Sequence, residues 1–341
     1  MSKYLNLAGR ATYFQSPDRQ PHALLPNAAA VPLFSEDYFT WFLEQTDKQQ
    51  IPNPSAAQFS YLLRQIDAEA WSRKDIRPVS LRTADCGQGR YLVNLQTIEQ
   101  ETIEISASGW RTAEIPSEHF RQPALSKPYP LPVFTRQDLS GHLRKMFSID
   151  EHQSGALSRW LAQAMLPGVP PPVLVITGEA RLQAISKLRN LIDPVVHPIH
   201  PMPHHGQGFG QLALTNKVLA FNVGSRLSKA KRETINHLNS GVEVRLKEAS
   251  KRRDPLSTTI SRAIILAAEK AIEVNPNQLT IEINRTADAD AGELFSALLT
   301  MVVSFLRQIR TTHTYAIEAA RPLLLLPPPA QSYEFGDVPA P

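Results

Sequence analysis

The chain has 341 residues, 42% of them hydrophobic, which suffices for two compact domains or for one large domain with extensions. Its formal net charge of +4 is mildly basic and argues only weakly for an anionic partner. The single cysteine, Cys86, excludes an internal disulfide and a cysteine-built zinc site, and favours a cytoplasmic setting. No apolar run reaches the roughly 20 residues of a membrane span, and no secretory pattern opens the chain, so we expect a soluble protein without a membrane partner.

The first third of the sequence predicts an arm followed by a small α+β domain. Prolines interrupt residues 1–33, which favours an irregular N-terminal arm. The predicted domain covers 34–133. It begins with an aromatic helical stripe at Tyr38–Leu43 and a helix over Ser55–Trp71. Alternating segments at Arg90–Leu95 and Thr102–Ile105 predict strands, and prolines between 116 and 132 predict an extended connector.

The second predicted domain, 137–310, alternates short apolar runs with helical patterns. Continuous apolar runs suit strands that are buried on both faces of a parallel sheet. The runs are Val173–Ile176, Val218–Phe221, Ala263–Ala268 and Leu279–Ile283. Amphipathic segments lie between them, and a last helix is expected over Ala291–Arg310. The pattern predicts an α/β fold with a mostly parallel sheet. The proline-rich tail, 322–341, is expected to be disordered.

Several segments of this chain match the motifs of a known protein family in their order and spacing. They are Gly109–Arg111 with Phe120-Arg121 and Leu131-Pro132, then Leu161–Leu174, Val173–Glu179 with Leu188–Pro194, Val218–Phe221, and Arg262–Leu266. Together they resemble the P-loop ATP-binding, helicase-like proteins of bacterial mobile elements, which are primase-associated and superfamily-3-like. The resemblance covers about 34–306. It implies a P-loop NTPase-like fold, with Val173–Ile176 as the Walker A strand, Val218–Phe221 as the Walker B strand and Ala263–Leu266 as the sensor strand.

The sequence departs from that family where ATP chemistry requires specific side chains. A working P-loop needs glycines, a lysine for the phosphates and a hydroxyl for Mg²⁺. Here Gly178-Glu179 leads directly to Ala180-Arg181, and Arg181 falls at the lysine position. Asn222 replaces the Walker B aspartate, and an amide is a poorer magnesium ligand than a carboxylate. Ala267 replaces the sensor asparagine, and Asn275–Gln278 lacks the family's arginine.

These departures predict a catalytically inactive relative of a replication ATPase, acting as a structural or DNA-associated subunit. The degenerate nucleotide site would consist of Gly178, Glu179, Arg181 and Asn222. No cofactor is expected, and ATP with Mg²⁺ would bind only if the loop retains that ability. A divergent active ATPase with a rebuilt loop stays open, as does a regulator that binds an active helicase and has no DNA role. The resemblance also allows a homo-oligomer, or a ring with an active homologue.

A cluster of cations indicates a second candidate site. A hairpin is expected from strands near Val242–Glu248 and Ser257–Ile265, with its turn around Ser250–Asp254. The cations along it are Arg245, Lys247, Lys251, Arg252 and Arg253. They would either contact the phosphates of single- or double-stranded DNA or form a solvated turn.

Histidines crowd the segment from His197 to Gly210, at positions 197, 200, 204 and 205. Their spacing matches no structural zinc motif, and prolines separate them. A flexible loop without a metal is therefore expected here.

Overall fold

The computed structural model describes residues 2–17, 20–26, 29–97, 101–113, 119–121, 123, 125–168, 170–204, 206–245 and 257–324. The first half of the chain contains α1 (Ser2–Ala8), β1 (Thr12–Gln15), β2 (Pro21–Leu24), β3 (Ala30–Pro32), α2 (Glu36–Lys48), α3 (Ala56–Arg73), β4 (Val79–Ser80), β5 (Thr83–Asp85), β6 (Tyr91–Asn94), β7 (Thr102–Ser106), β8 (Gly109–Ala113), β9 (His119–Phe120), α4 (Leu139–Phe147) and α5 (Glu151–Met165). The second half contains β10 (Leu174–Thr177), α6 (Arg181–Ile192), α7 (Gly206–Thr215), β11 (Val218–Gly224), α8 (Lys229–Ser240), β12 (Val242–Arg245), β13 (Ser257–Ile260), β14 (Ala263–Ala268), β15 (Leu279–Glu282) and α9 (Ala291–Leu324).

The N-terminal segment is folded, which corrects the prediction of an irregular arm over 1–33. Helix α1 precedes the antiparallel sheet β1-β2-β3, and α2 and α3 cover that sheet. The buried phenol of Tyr38 on α2 lies 2.8 Å from the hydroxyl of Tyr13 on β1. Proline did not prevent this order because Pro21 and Pro32 occupy the ends of short strands, where a missing N–H is tolerated.

Helices α2 and α3 form where the aromatic and amphipathic patterns predicted them. Ser35 caps α2, and Ser55 begins a capping box with Gln58 at the start of α3. The Ser55 cap is the polar residue that the sequence placed at the head of the second helix.

The antiparallel sheet β5-β6-β7-β8 packs into the same core as the α/β part of the chain. Its inward residues Val93, Leu95, Ile103 and Ile105 belong to one buried cluster with residues of α4, α5, α6 and α9. The Trp110 indole also donates a hydrogen bond of 3.3 Å to Thr300 on α9. The predicted boundary between 133 and 137 therefore does not separate two hydrophobic cores.

The apolar runs form a parallel sheet, as predicted, and the structure shows the strand order β11-β14-β10-β15. Strands β10 and β14 and the first four residues of β11 are buried on both faces, whereas the edge strand β15 exposes Thr280 and Glu282. Leu174 and Ile176 face the core that contains α5 and α9, whereas Val173 and Val175 face α7 and α8. Double burial explains why these strands appear in the sequence as continuous apolar runs rather than as alternating ones.

Two helices differ from their predictions. Helix α7 begins at Gly206, inside the segment 197–210 that was expected to be a flexible loop, because Phe209 and Ala213 are buried against the sheet. Helix α9 continues past the expected end at Arg310 to Leu324, so the first residues of the predicted tail are helical. The rest of that tail, 325–341, lies outside the described residues.

One stretch of α9, Ala291–Ile309, is long and apolar enough to span a membrane by length and composition alone. In this structure 56% of that stretch is buried, and Leu298, Leu299 and Val302 belong to the core. The burial is consistent with the core helix of a soluble protein.

Candidate functional site

The segments that resemble Walker A, Walker B and the sensor strand meet at the carboxyl edge of the parallel sheet. Strand β14 lies between β10 and β11, where Ala267 pairs with Ile176 on one side and with Asn222 on the other. Neighbouring strands are about 5 Å apart, so Asn222 lies roughly 10 Å across the sheet from the end of β10. The tertiary structure thus brings together the positions that the resemblance assigned to one site.

The loop after β10 turns at Gly178, which has φ of +94°. A Cβ at this position would meet the carbonyl of Ile283 and would lie 2.6 Å from Oδ1 of Asn284. Glycine is required here by the positive φ and by the close approach of the segment that follows β15.

The backbone donors of this loop are bound to the protein itself. The N–H of Glu179 donates to Oδ1 of Asn284 at 3.2 Å, and the N–H of Ala180 donates to the carbonyl of Ile283 at 3.1 Å. In a phosphate-binding loop such N–H groups point at the ligand. Here Ile283 and Asn284 accept the hydrogen bonds that a phosphate would accept in such a loop.

Arg181 is the first residue of α6 and folds back on the loop. Its Nη1 donates to the carbonyl of Gly178 at 3.2 Å, while its buried Nε has no hydrogen-bond partner in the described part of the chain. Leu182 is 37% exposed, and Gln183 accepts a hydrogen bond from Thr286. The guanidinium of Arg181 therefore keeps a donor that could meet an anion at this loop.

Asn222 and Ala267 differ in their surroundings. The Asn222 side chain is exposed on β11, just before an irregularity in the strand pairing between Asn222 and Gly224. Ala267 is fully buried and offers no polar group. Asn275–Gln278 forms a turn before β15, in which Oε1 of Gln278 accepts from the N–H of Val274 at 2.6 Å. These positions hold the strand ends in place but present no carboxylate.

The predicted basic hairpin is present as a strand pair. Strand β12 pairs with β13 in antiparallel register, and Arg245 lies opposite Ser257 at the end nearest the turn. The second strand ends at Ile260, and Ala263–Ala268 belongs to the parallel sheet instead. Lys247, Lys251, Arg252 and Arg253 lie outside the described residues, so their role in DNA binding stays a prediction.

The histidine segment is tied to a buried charge network. His200 joins β11 through an isolated bridge to Phe221, and its Nε2 accepts a hydrogen bond of 2.6 Å from Nη1 of Arg189. Burial and the neighbouring Arg189 lower the pKa of His200 to about 4. His200 is therefore neutral at pH 7, and its Nε2 is occupied by the hydrogen bond from Arg189. His205 lies outside the described residues.

Sequence reasoning missed the centre of this network, the buried carboxylate of Asp193. Its Oδ1 accepts from Nε of Arg82 at 3.1 Å, and its Oδ2 accepts from the backbone N–H groups of Lys217 and Val218. Arg189 lies 3.9 Å away and also binds Asn216. Arg82 and Asp193 are 111 positions apart in the sequence, so no local pattern could have paired them.

Comparisons with known proteins find only weak similarity, to solved structures. No protein-family model matches the sequence, and no curated protein matches it. Among solved structures, the A form apo structure of the NrS-1 C-terminal region aligns with a TM-score of 0.44 and 10% identity, covering 89% of this chain and 67% of that chain. The apo structure of NrS-1 residues 305–718 aligns with a TM-score of 0.39 and 10% identity, over the same shares.

Proposed function

We propose that this protein is a non-hydrolysing relative of the mobile-element replication ATPases, and that it acts as a structural or DNA-associated subunit. The observation that carries the proposal is the loop after β10, whose Glu179 and Ala180 N–H groups are bound by Asn284 and Ile283. A phosphate would have to displace both acceptors to be cradled there.

The side chains around the loop favour the same function. Phosphoryl transfer depends on positioned cations, a bound metal ion and an oriented nucleophile. Arg181 is turned toward Gly178, Asn222 provides an amide where a metal would need a carboxylate, and Ala267 has no group that could orient water. In this proposal the parallel sheet serves as a scaffold. The proposal also includes a cytoplasmic location and assembly with an active homologue.

The test is ATP turnover by the purified protein with Mg²⁺, with and without single-stranded DNA, together with a titration of a fluorescent ATP analogue. We expect turnover below about 10⁻³ per second, which is near the level of slow intrinsic NTPases. We also expect no saturable binding of the analogue. An intact P-loop ATPase, assayed in parallel, shows that the conditions support hydrolysis.

The variant Arg181→Ala separates the proposal from the divergent ATPase. If the wild type hydrolyses ATP and this variant does not, the loop is a rebuilt active site and the proposal is wrong. The regulator alternative predicts a different result, in which the protein binds no DNA and associates with a protein partner in a salt-insensitive way. Phosphate contacts, in contrast, weaken steeply as salt rises.

A further inference from the structure

A cavity lies at the amino edge of the parallel sheet, at the opposite edge from the loop that contains Gly178. Its volume is about 340 Å³. Lys217 directly precedes β11 and Arg262 directly precedes β14, which places both side chains at this edge. Together with Arg82 they line the cavity, and no carboxylate is among the described residues that line it.

The positive charge at this cavity exceeds the negative charge that faces it. Asp193, which lies behind the cavity wall, is paired with Arg82 and also attracts Lys217 and Arg262, so one carboxylate serves three cations. The amine of Lys217 donates to Oγ1 of Thr83 and to the carbonyl of Met165, and both acceptors are neutral.

Arg262 likewise has neutral acceptors. Its Nε donates to the carbonyls of Ala213 and Asn216 at 2.8 and 2.9 Å, and its Nη1 donates to the carbonyl of Ser261. Burying three cations against one carboxylate is unfavourable, and an anion in the cavity would reduce that penalty for Arg262 and for Lys217.

The polar groups of the lining suit an oxyanion. The hydroxyl-bearing residues Ser80, Thr83 and Ser261 line the cavity beside the cations. Lysine, arginine and hydroxyl groups are the side chains that most often bind phosphate oxygens. The volume also exceeds that of one phosphate, which leaves room for an attached sugar or nucleoside.

From this arrangement we propose that the cavity binds a phosphate monoester, with its phosphate between Lys217 and Arg262. The site is independent of the proposed loss of ATP hydrolysis, because it lies at the other edge of the sheet. Two sources share this chemistry, a free sugar phosphate and the 5′-phosphate of a nucleic-acid end.

The protonation of Lys217 gives the binding a signature. Burial lowers the pKa of Lys217 to about 7, so a large share of the amines is neutral just above pH 7. A bound anion favours the charged amine, and binding at pH 7.5 is therefore accompanied by proton uptake. Sulfate is the best probe of this uptake because it does not itself titrate at that pH.

The experiment is calorimetric titration of the full chain with phosphate, sulfate, ribose 5-phosphate, and a trinucleotide with and without a 5′-phosphate. Proton uptake is measured by repeating the sulfate titration in two buffers of different ionisation enthalpy. Lys217→Met should weaken binding by about tenfold or more, the loss expected for one charged hydrogen-bond donor. The matched control, Lys187→Met, removes a lysine whose amine is paired with Asp288 and which does not line the cavity.

Each result decides the proposal. Saturable binding of phosphate or of either ester, with proton uptake on sulfate binding, supports it, and the better ester identifies the source. If no probe binds the wild type at about 10 mM, the cavity is not a phosphate site. Unchanged affinity in a folded Lys217→Met protein also overturns it. If that variant does not fold, the wild-type titration and its proton uptake still decide.

Discussion

At Gly178 the backbone leaves β10 with φ of +94° and passes against the carbonyl of Ile283, where a side chain has no space. The same contact brings Ile283 and Asn284 within hydrogen-bonding distance of the two N–H groups that follow. At the scale of single residues, one glycine therefore both permits the turn and allows the loop to be closed by the protein's own acceptors.

The variant Gly178→Ala tests that requirement. We expect the free energy of unfolding to fall by about 2–4 kcal/mol, because alanine must adopt a left-handed φ and also meets a backbone carbonyl. Urea denaturation followed by circular dichroism measures the change.

Gly155→Ala is the matched control, since Gly155 lies in α5 and an added Cβ meets nothing within 4 Å. Alanine is the better helix former, so this variant should be neutral or more stable by up to about 1 kcal/mol. Equal stability of the two variants would mean that the loop is not constrained as described.

At the scale of elements, the β12–β13 strand pair flanks the cations that are proposed to contact nucleic acid. Its strands pair in antiparallel register, and β13 is followed within two residues by β14 of the parallel sheet. Helix α8 packs beside it. The strand pair is thus attached to the parallel sheet through a short connection.

The triple variant Lys251→Gln, Arg252→Gln, Arg253→Gln tests the hairpin. If the turn contacts phosphates, the affinity for single-stranded DNA falls, and the slope of log affinity against log salt decreases by about two to three. Fluorescence anisotropy at several salt concentrations measures both quantities.

A variant with the same loss of charge, Lys48→Gln with Arg64→Gln and Arg73→Gln, changes exposed residues of α2 and α3. It should keep the wild-type salt slope. Identical losses in the two triple variants would show that only the net charge matters, and the specific role of the hairpin would be refuted.

At the scale of the whole molecule, the antiparallel sheet β5–β8 and the α/β part share one core. Ile103 and Ile105 pack in the cluster that contains Leu298 and Val302 of α9. Arg82, at the start of this sheet, is also the partner of Asp193 across the core. The β-rich part therefore completes the fold of the α/β part rather than preceding it as a separate unit.

A fragment that starts at residue 137 should consequently fail to fold cooperatively. This fragment exposes the surface of α9 that β7 covers in the full chain. It also leaves Asp193 without Arg82, and breaking a buried ion pair in this way destabilises the fold by about 3–5 kcal/mol. Near-ultraviolet circular dichroism and binding of a hydrophobic dye measure the loss of fixed packing. The control fragment, 1–324, should unfold in a sharp transition like the full chain. A sharp thermal transition in the 137-start fragment would favour two independent domains.

The extent to which the sequence predicted this structure varied with the range of the interactions. Helices α2, α3, α6 and α8 and the strands of the parallel sheet followed from local periodicity and capping residues such as Ser55. The segments 1–33 and 206–210 were misjudged, because prolines and glycines hid short elements that form by packing against α2, α3 and β11.

What the sequence by itself determined is the α/β layering, the apolar strands and the side chains present at Arg181 and Asn222, since each depends on residue identity and local spacing. Only the tertiary structure decided that Ile283 and Asn284 close the loop at Gly178, and that Arg82 reaches Asp193 behind a cavity lined by Lys217 and Arg262. The contact of Glu179 with Asn284 joins residues 105 positions apart, and that of Arg82 with Asp193 joins residues 111 positions apart. The first forms where the parallel strands β10 and β15 end side by side, and the second where the antiparallel sheet meets the α/β part. Strand order and register, which no local pattern encodes, are therefore the physical reason why both sites became visible only in the fold.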